Sequence, residues 1–441
     1  MSDQGRIDID AAVQEAGGGP AAGQPDTGGV SRQQWKWTIL AGMASYLDAG
    51  SIVALGSGLA LFKAELGLSS GAVGVLAAIG PNAIGCAIGA LIGGRLGDVL
   101  GRKRIYQWDL LVYALGILLI AFSINPAMLF IGTFIVGVTV GADVPTSLAL
   151  VGELSPAKAR GKLLGFSQIA WNCGPAIVLI LALALSSTGL IGIRIVFFHL
   201  AAVALLTWFL RRGMTESLRW TTARAANAVR PRIRQLFQGA NLRGLGWTTG
   251  IYLFWNIAAG TSGIFTPYMV STLGGGGQAV SVGLSLAGFV IGILATLLIF
   301  MPLFDRSFGS RKVLWAIGAI MQILGWGIFI VLPFSIPTVI FNAFMAGVGG
   351  ALAGEAVYKI FSQELFPTML RGTAQGFTFS LARLCLGIWS LFLPTLTETS
   401  FTLAGGLLTL FLAISGVIGF FFMPHTVGKT LEEIEGERGT A

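Results

Sequence analysis

The stretch Glu153-Leu154-Ser155-Pro156-Ala157-Lys158-Ala159-Arg160-Gly161-Lys162-Leu163-Leu164-Gly165-Phe166-Ser167 returns 211 residues later as Glu364-Leu365-Phe366-Pro367-Thr368-Met369-Leu370-Arg371-Gly372-Thr373-Ala374-Gln375-Gly376-Phe377-Thr378. The shared pattern, ELxPxxxRGxxxGF[ST], keeps every matched position at one offset, which chance rarely supplies. A weaker echo relates Asp98 with Arg102-Lys103 to Asp305 with Arg311-Lys312, the second copy being longer. Around each copy lie apolar runs of about 20 residues, the length that crosses a bilayer core. They fall near 36–62, 71–95, 105–123, 127–152, 162–186 and 192–212, then near 244–272, 279–304, 313–333, 336–362, 371–396 and 402–424. The repeated motif occupies the same place in each set of six. The expected fold is therefore an all-α polytopic membrane protein of twelve transmembrane helices in two pseudo-symmetric six-helix bundles. Such parallel repeats are an architecture of secondary transporters, with substrate and coupling ion meeting near the midplane between the halves.

Composition agrees with this reading and excludes others. Of 441 residues, 54% are hydrophobic and 11% are charged, with a mean hydropathy of +0.79. A soluble domain carries about 25% charged residues, so this chain lacks the charge to coat itself for water. The net charge of +8 does not imply nucleic acid, because the basic residues lie in short loops between spans. Cys86, Cys173 and Cys385 fall inside apolar runs without CxxC spacing, and there are only two histidines, His199 and His425. Neither a disulfide framework nor a metal site is expected. No nucleophile elbow, Walker or dinucleotide fingerprint occurs, so the chain does not read as an enzyme.

Orientation follows from the positive-inside rule. Of the 28 basic residues, Lys63 and Arg194 fall in loops of one side and Lys359 and Arg383 within spans, leaving 24 on the other side. Both termini are expected in the cytoplasm and the chain in the plasma (inner) membrane, multi-pass. The expected organisation is a disordered tail (1–34), a six-helix bundle (35–212), a cytoplasmic loop (213–243), a second bundle (244–424) and a cytoplasmic tail (425–441). Arginines of the central loop, from Arg211 and Arg212 to Arg243, read as anchors against anionic lipid.

Gly94-Arg95-Leu96-Gly97-Asp98-Val99-Leu100-Gly101-Arg102-Lys103-Arg104 resembles the loop motif between the second and third helices of the major facilitator superfamily. Glu216-Ser217-Leu218-Arg219-Trp220 is similar to the PESPRW of its sugar porter family, and Pro424-His425-Thr426-Val427-Gly428-Lys429-Thr430-Leu431-Glu432-Glu433-Ile434 to that family's PETKGKTLEEI. The resemblance covers nearly the whole chain after residue 34. It implies alternating access, with Arg95, Asp98, Arg102, Glu153 and Arg160 in a cytoplasmic gate that Asp305, Arg311, Glu364 and Arg371 repeat in the second half. Charge-assisted bonds among them would close one side.

Asp48, Asp143, Glu355, Lys359 and Arg383 sit well inside apolar spans. Each costs roughly 2.5–3.5 kcal/mol at a helix centre, so these charges face partners, water or a pathway. Asp48 matches the sugar porters' first-helix aspartate, which in proton-coupled members is the protonation site. The arginine that those members carry in the fourth helix aligns with Thr133. Gly141-Ala142-Asp143-Val144-Pro145 instead resembles the GxDxP of proton-coupled phosphate carriers, so Asp48 and Asp143 are expected to share the coupling proton, the only cofactor-like species. Glu355 and Lys359, four apart on one helix face, are expected to bind hydroxyls. The family's sugar-stacking tryptophan aligns with Lys359, leaving Tyr358 and Trp255 as substitutes. Gln168 matches the family's fifth-helix glutamine, Asn172 lies one turn on with Trp171 between them, and Asn256 is the polar residue near the seventh-helix motif; buried amides need partners.

The expected function is secondary active import of a small polyhydroxylated solute, a sugar or a cyclic polyol such as inositol, by proton symport. The alternative substrate is an organic anion or sugar acid meeting Lys359 and Arg383. A uniporter, or a sensor that binds without transporting, ranks below both.

Overall fold

The computed structural model describes residues 30–214, 216–226, 233–272 and 278–439. Most of the segment expected to be disordered, residues 1–29, lies outside the described residues, as do positions 227–232 of the central loop. Among the described residues there is no strand, and eleven helices are long and apolar enough to cross a membrane.

The first half runs α1 (Arg32–Leu66), α2 (Ser70–Ile79), α3 (Ile84–Leu100), α4 (Arg102–Ala121), α5 (Pro126–Leu154), α6 (Arg160–Ala184) and α7 (Leu190–Arg211). A short α8 (Leu218–Ala226) leads to the second half: α9 (Gly239–Thr272), α10 (Gln278–Ala295), α11 (Phe308–Val331), α12 (Ile336–Leu352), α13 (Glu355–Glu364), α14 (Arg371–Thr399) and α15 (Phe401–Phe421), followed by α16 (Leu431–Gly439). The pairs α2/α3 and α12/α13 are each one broken span, so the seven helices of each half make six crossings. Helix α1 opens four residues earlier than its apolar run, because Ser31 and Gln34 form a capping box.

Local chemistry sets the breaks. Gly80-Pro81 interrupts the second span, since proline lacks the N–H that an internal turn needs. The tenth span breaks at Ala353-Gly354, where Gln322 of α11 donates to the carbonyls of Gly318, Gly349 and Ala353 at 2.9–3.3 Å. Satisfying those carbonyls makes irregular backbone tolerable at membrane depth. Large apolar side chains such as Ile92, Leu115, Leu206 and Phe421 point outward, as lipid requires.

The halves meet along α3 against α14 and α6 against α10. At the first crossing a Cβ on Gly376 would run into the carbonyl of Ala90, and one on Gly94 into that of Gly372. Glycine at these positions allows backbone-to-backbone contact, the usual device for close helix packing without a hydrophobic driving force.

Candidate functional site

Four buried charges from three helices converge between the halves. Asp48 of α1, Glu355 and Lys359 of α13 and Arg383 of α14 are each at most 3% exposed. Arg383 Nη2 lies 3.3 Å from Asp48 Oδ2 and its Nη1 donates to Asn82 Oδ1 at 3.1 Å, within the α2–α3 break. Trp171 Nε1 donates to the same Asp48 oxygen at 3.2 Å. Asp48 Oδ1 has no hydrogen-bond partner. The arginine expected from the fourth span is thus supplied by the opposite half.

Glu355 is the first residue of α13, where free backbone amides and the helix dipole favour a negative charge. Its Oε1 accepts no hydrogen bond, and Lys359 Nζ is 3.6 Å away. Lys359 Nζ donates instead to Gln168 Oε1 of α6 at 3.0 Å, a second bond across the halves.

Beside these groups lies a narrow cavity of about 30 Å³, walled by Asn82, Trp171, Trp255, Asn256, Phe289, Glu355 and Arg383 with further residues of α1 and α9. That space holds about one water, so a larger solute needs the halves to part; the wall has the mixture of apolar rings and a few polar groups usual in small-molecule sites. Trp255 is held in place by its Nε1–H bond to Gln322 Oε1 at 2.8 Å, so the glutamine that mends the helix break also fixes a ring of the wall.

Several expected contacts take other positions. Tyr358 stacks on Tyr252, with ring centroids 4.0 Å apart and planes 18° apart, and its hydroxyl donates to the carbonyl of Gln375; it lies behind the wall. Lys359 and Gln168 likewise stand behind Glu355, spending their polar atoms on each other. Asn172 packs against Gly292 of α10 at the crossing of the halves. The expected sharing of a proton between Asp48 and Asp143 is not what the fold builds. Asp143 faces into the first half, where Arg211 Nη1 donates to both its oxygens at 2.9 and 3.1 Å and Ser147 donates to Oδ1. Its place on α5 turns it toward α7, whereas Asp48 faces α6 and α14. Arg211, read as a lipid anchor, is 3% exposed. Asn82, Phe289 and Gln322 were not singled out in the sequence; the Gly80-Pro81 break was the available signal for Asn82.

The repeated motifs assemble at one end. Asp98 accepts from the amides of Gly372 and Thr373 at 3.1 and 2.6 Å, and from Thr373 Oγ1 at 2.7 Å. Arg102 bonds Glu153 Oε1 at 2.8 Å and the carbonyl of Thr368 at 2.9 Å, while Arg371 reaches the same Glu153 oxygen at 3.3 Å. In the mirrored set, Arg160 crosses to Glu364 at 3.1 Å and Arg311 bonds Glu364 at 2.9 Å and Asp305 at 3.1 Å. Burial pushes the Asp305 carboxyl above its ordinary range, against the pull of Arg311. Arg95, half-buried on α3, follows Gly94 at the same crossing. Glu216 accepts from the amides of Arg102 and Lys103, capping α4, and Glu432 of α16 bonds Arg219 at 2.9 Å. The cavity lies away from this closed end, since Ile52 and Val53 of α1 and Gly260 and Gly263 of α9 continue its wall beyond Asp48 and Asn256.

Two parallel six-helix halves, a charged cavity between them and a polar lock across one end define a membrane transporter. The chain belongs to the Major Facilitator Superfamily, whose profile matches residues 38–379, and to the sugar porters within it. It is 39% identical over 414 residues to the minor myo-inositol transporter IolF of Bacillus subtilis, covering 91% of this chain and 93% of that one. It is 26% identical to the glucose transporter GlcP of Staphylococcus epidermidis, covering 90% and 95%. Its fold superposes on the proton:xylose symporter XylE of E. coli bound to 6-bromo-6-deoxy-D-glucose with a TM-score of 0.81, at 18% identity, covering 92% of this chain and 99% of that one.

Proposed function

We propose that this chain imports a neutral cyclic polyol of the inositol kind together with protons, as a monomer in the plasma membrane with both termini in the cytoplasm. The observation that carries the reading is the charge balance of the site: Asp48 and Glu355 cancel Arg383 and Lys359, so the cavity has no net attraction for an anion. It offers a ring of hydroxyls the carboxylate of Glu355 and the amides of Asn82 and Asn256. Trp171 and Trp255 supply flat faces for the C–H side of a ring. The relatives named for myo-inositol and glucose, and the proton symporter of the same fold, support the substrate class and the coupling ion.

In this reading Asp48 carries the proton. A proton taken from the outer side removes the charge that holds Arg383 and loosens one of the ties between the halves. Hydroxyls then compete for Arg383, Asn82 and Glu355, so proton and solute favour the same rearrangement, and only such differential binding shifts a conformational equilibrium. The locked end, in the cytoplasm, opens as Glu153 and Glu364 exchange their cross-half arginines for water.

The substrate assignment is tested by ligand-induced thermal stabilisation of the purified protein with myo-inositol, other neutral polyols, hexoses and sugar acids. Stabilisation by neutral polyols that sugar acids fail to displace is expected. Preference for acids would make Arg383, released when Asp48 is protonated, the centre of an anion site.

A further inference from the structure

Inside the first half, away from the central cavity, Asp109 of α4 and Asp143 of α5 flank Arg211 at the end of α7. Their exposures are 7%, 2% and 3%. The guanidinium is fully engaged: Nη1 bonds both oxygens of Asp143, Nε donates to the carbonyl of Leu40, and Nη2 to the carbonyl of Ala41 and to Ser147 Oγ. Asp109 is left with little. Its Oδ1 accepts from the amide of the next residue, Leu110, and its Oδ2 has no hydrogen-bond partner, with Arg211 Nη1 at 3.9 Å. The carboxyl of Asp143 approaches the same Arg211 Nη1, at 2.9 Å, so both carboxylates crowd one nitrogen. Tyr106 offers no donor, since its hydroxyl is spent on the carbonyl of Thr146 and its ring lies over the guanidinium at 4.8 Å.

We infer that Asp109 and Asp143 hold one proton between them, forming a second proton-binding site buried in the first half. The charge count requires it. Two ionised carboxylates against one arginine leave a net negative charge in low dielectric, which costs several kcal/mol. One proton removes that charge and supplies the hydrogen that Asp109 Oδ2 lacks, the arrangement by which two carboxylates crowded at one site share a proton. The groups facing Asp109 are Asp143 from α5, Arg211 from α7 and Tyr106 from its own helix, while α1 contributes the carbonyls that bind Arg211. The proton thus stabilises a junction of α1, α4, α5 and α7, and its loss at high pH weakens the first half.

Infrared spectroscopy of the full-length protein in lipid nanodiscs tests it, together with thermal unfolding as a function of pH. Wild type is expected to show a carboxylic-acid C=O band at neutral pH that Asp109→Asn and Asp109→Leu both lack. The folded wild type then holds one more proton than the unfolded chain, so its stability falls with rising pH by a one-proton slope that both variants lose. Should neither variant fold, Asp109→Glu displaces the acid by one methylene and must shift the band. Spectra and slopes unchanged from wild type, or stability that follows sodium concentration instead of pH, would overturn the site.

Discussion

Arg383 and Asp48 stand 3.3 Å apart and come from opposite halves, so the ion pair at the wall of the cavity is also a tie between the two halves. An aspartate paired within its own half would change charge without touching the interface. In the proposed cycle, loading the aspartate and releasing the interface are therefore one event.

The tie has a thermodynamic signature. Removing one partner of a buried pair typically costs about 3–5 kcal/mol, because the other charge is left alone. Arg383→Gln is expected to lower thermal stability sharply, and Asp48→Asn/Arg383→Gln to recover most of the loss. Thermal unfolding of the single and double variants measures this; additive losses would mean that the two side chains do not depend on each other.

In the proposed function Glu355 meets substrate through its carboxylate, whose Oε1 accepts no hydrogen bond within the protein. A hydrogen bond to a charged group is worth about 1.5–3 kcal/mol, so Glu355→Gln should weaken polyol binding on the order of 10- to 100-fold. Isothermal titration of the purified variant decides it. Affinity equal to wild type would remove Glu355 from the site.

Glu153 holds Arg102 and Arg371 together across the halves. Glu153→Gln leaves two arginines without their shared anion in the closed state, a loss of about 3–5 kcal/mol. That approaches the roughly 5.5 kcal/mol that carries a two-state equilibrium from 1:99 to 99:1, so the lock should open for a large share of molecules. Spin-label distances across the motif end should lengthen in the variant. An unchanged distribution would show that the closed end is held by packing at Gly94 and Gly376.

Much of this was legible in the chain. A motif repeated at one offset gives the two halves, and an aspartate inside an apolar run announces a charge that needs a partner at Asp48. Pairing was harder to read. Arg383 was visible as an intramembrane charge, but that it meets Asp48 depends on how two halves with no sequence contact pack. Asp143 was misassigned because a local motif says which helix carries a carboxylate and nothing about which neighbour it faces. Arg211 ends an apolar run where snorkelling to the interface is the ordinary outcome. Its burial follows from the carbonyls of Leu40 and Ala41 and from Asp143, all remote in sequence. Tyr358 shows the same limit: an aromatic next to the expected position was turned away by its stack with Tyr252.

The central claim is that Asp48 couples a proton to movement of a neutral polyol, and uptake of labelled myo-inositol into proteoliposomes under an inward proton gradient tests it most directly. Wild type should accumulate inositol above the outside concentration and lose the accumulation on addition of a protonophore. Asp48→Asn should retain counterflow exchange and only equilibrate. Accumulation by Asp48→Asn equal to wild type, or wild-type uptake indifferent to the protonophore, would contradict the account.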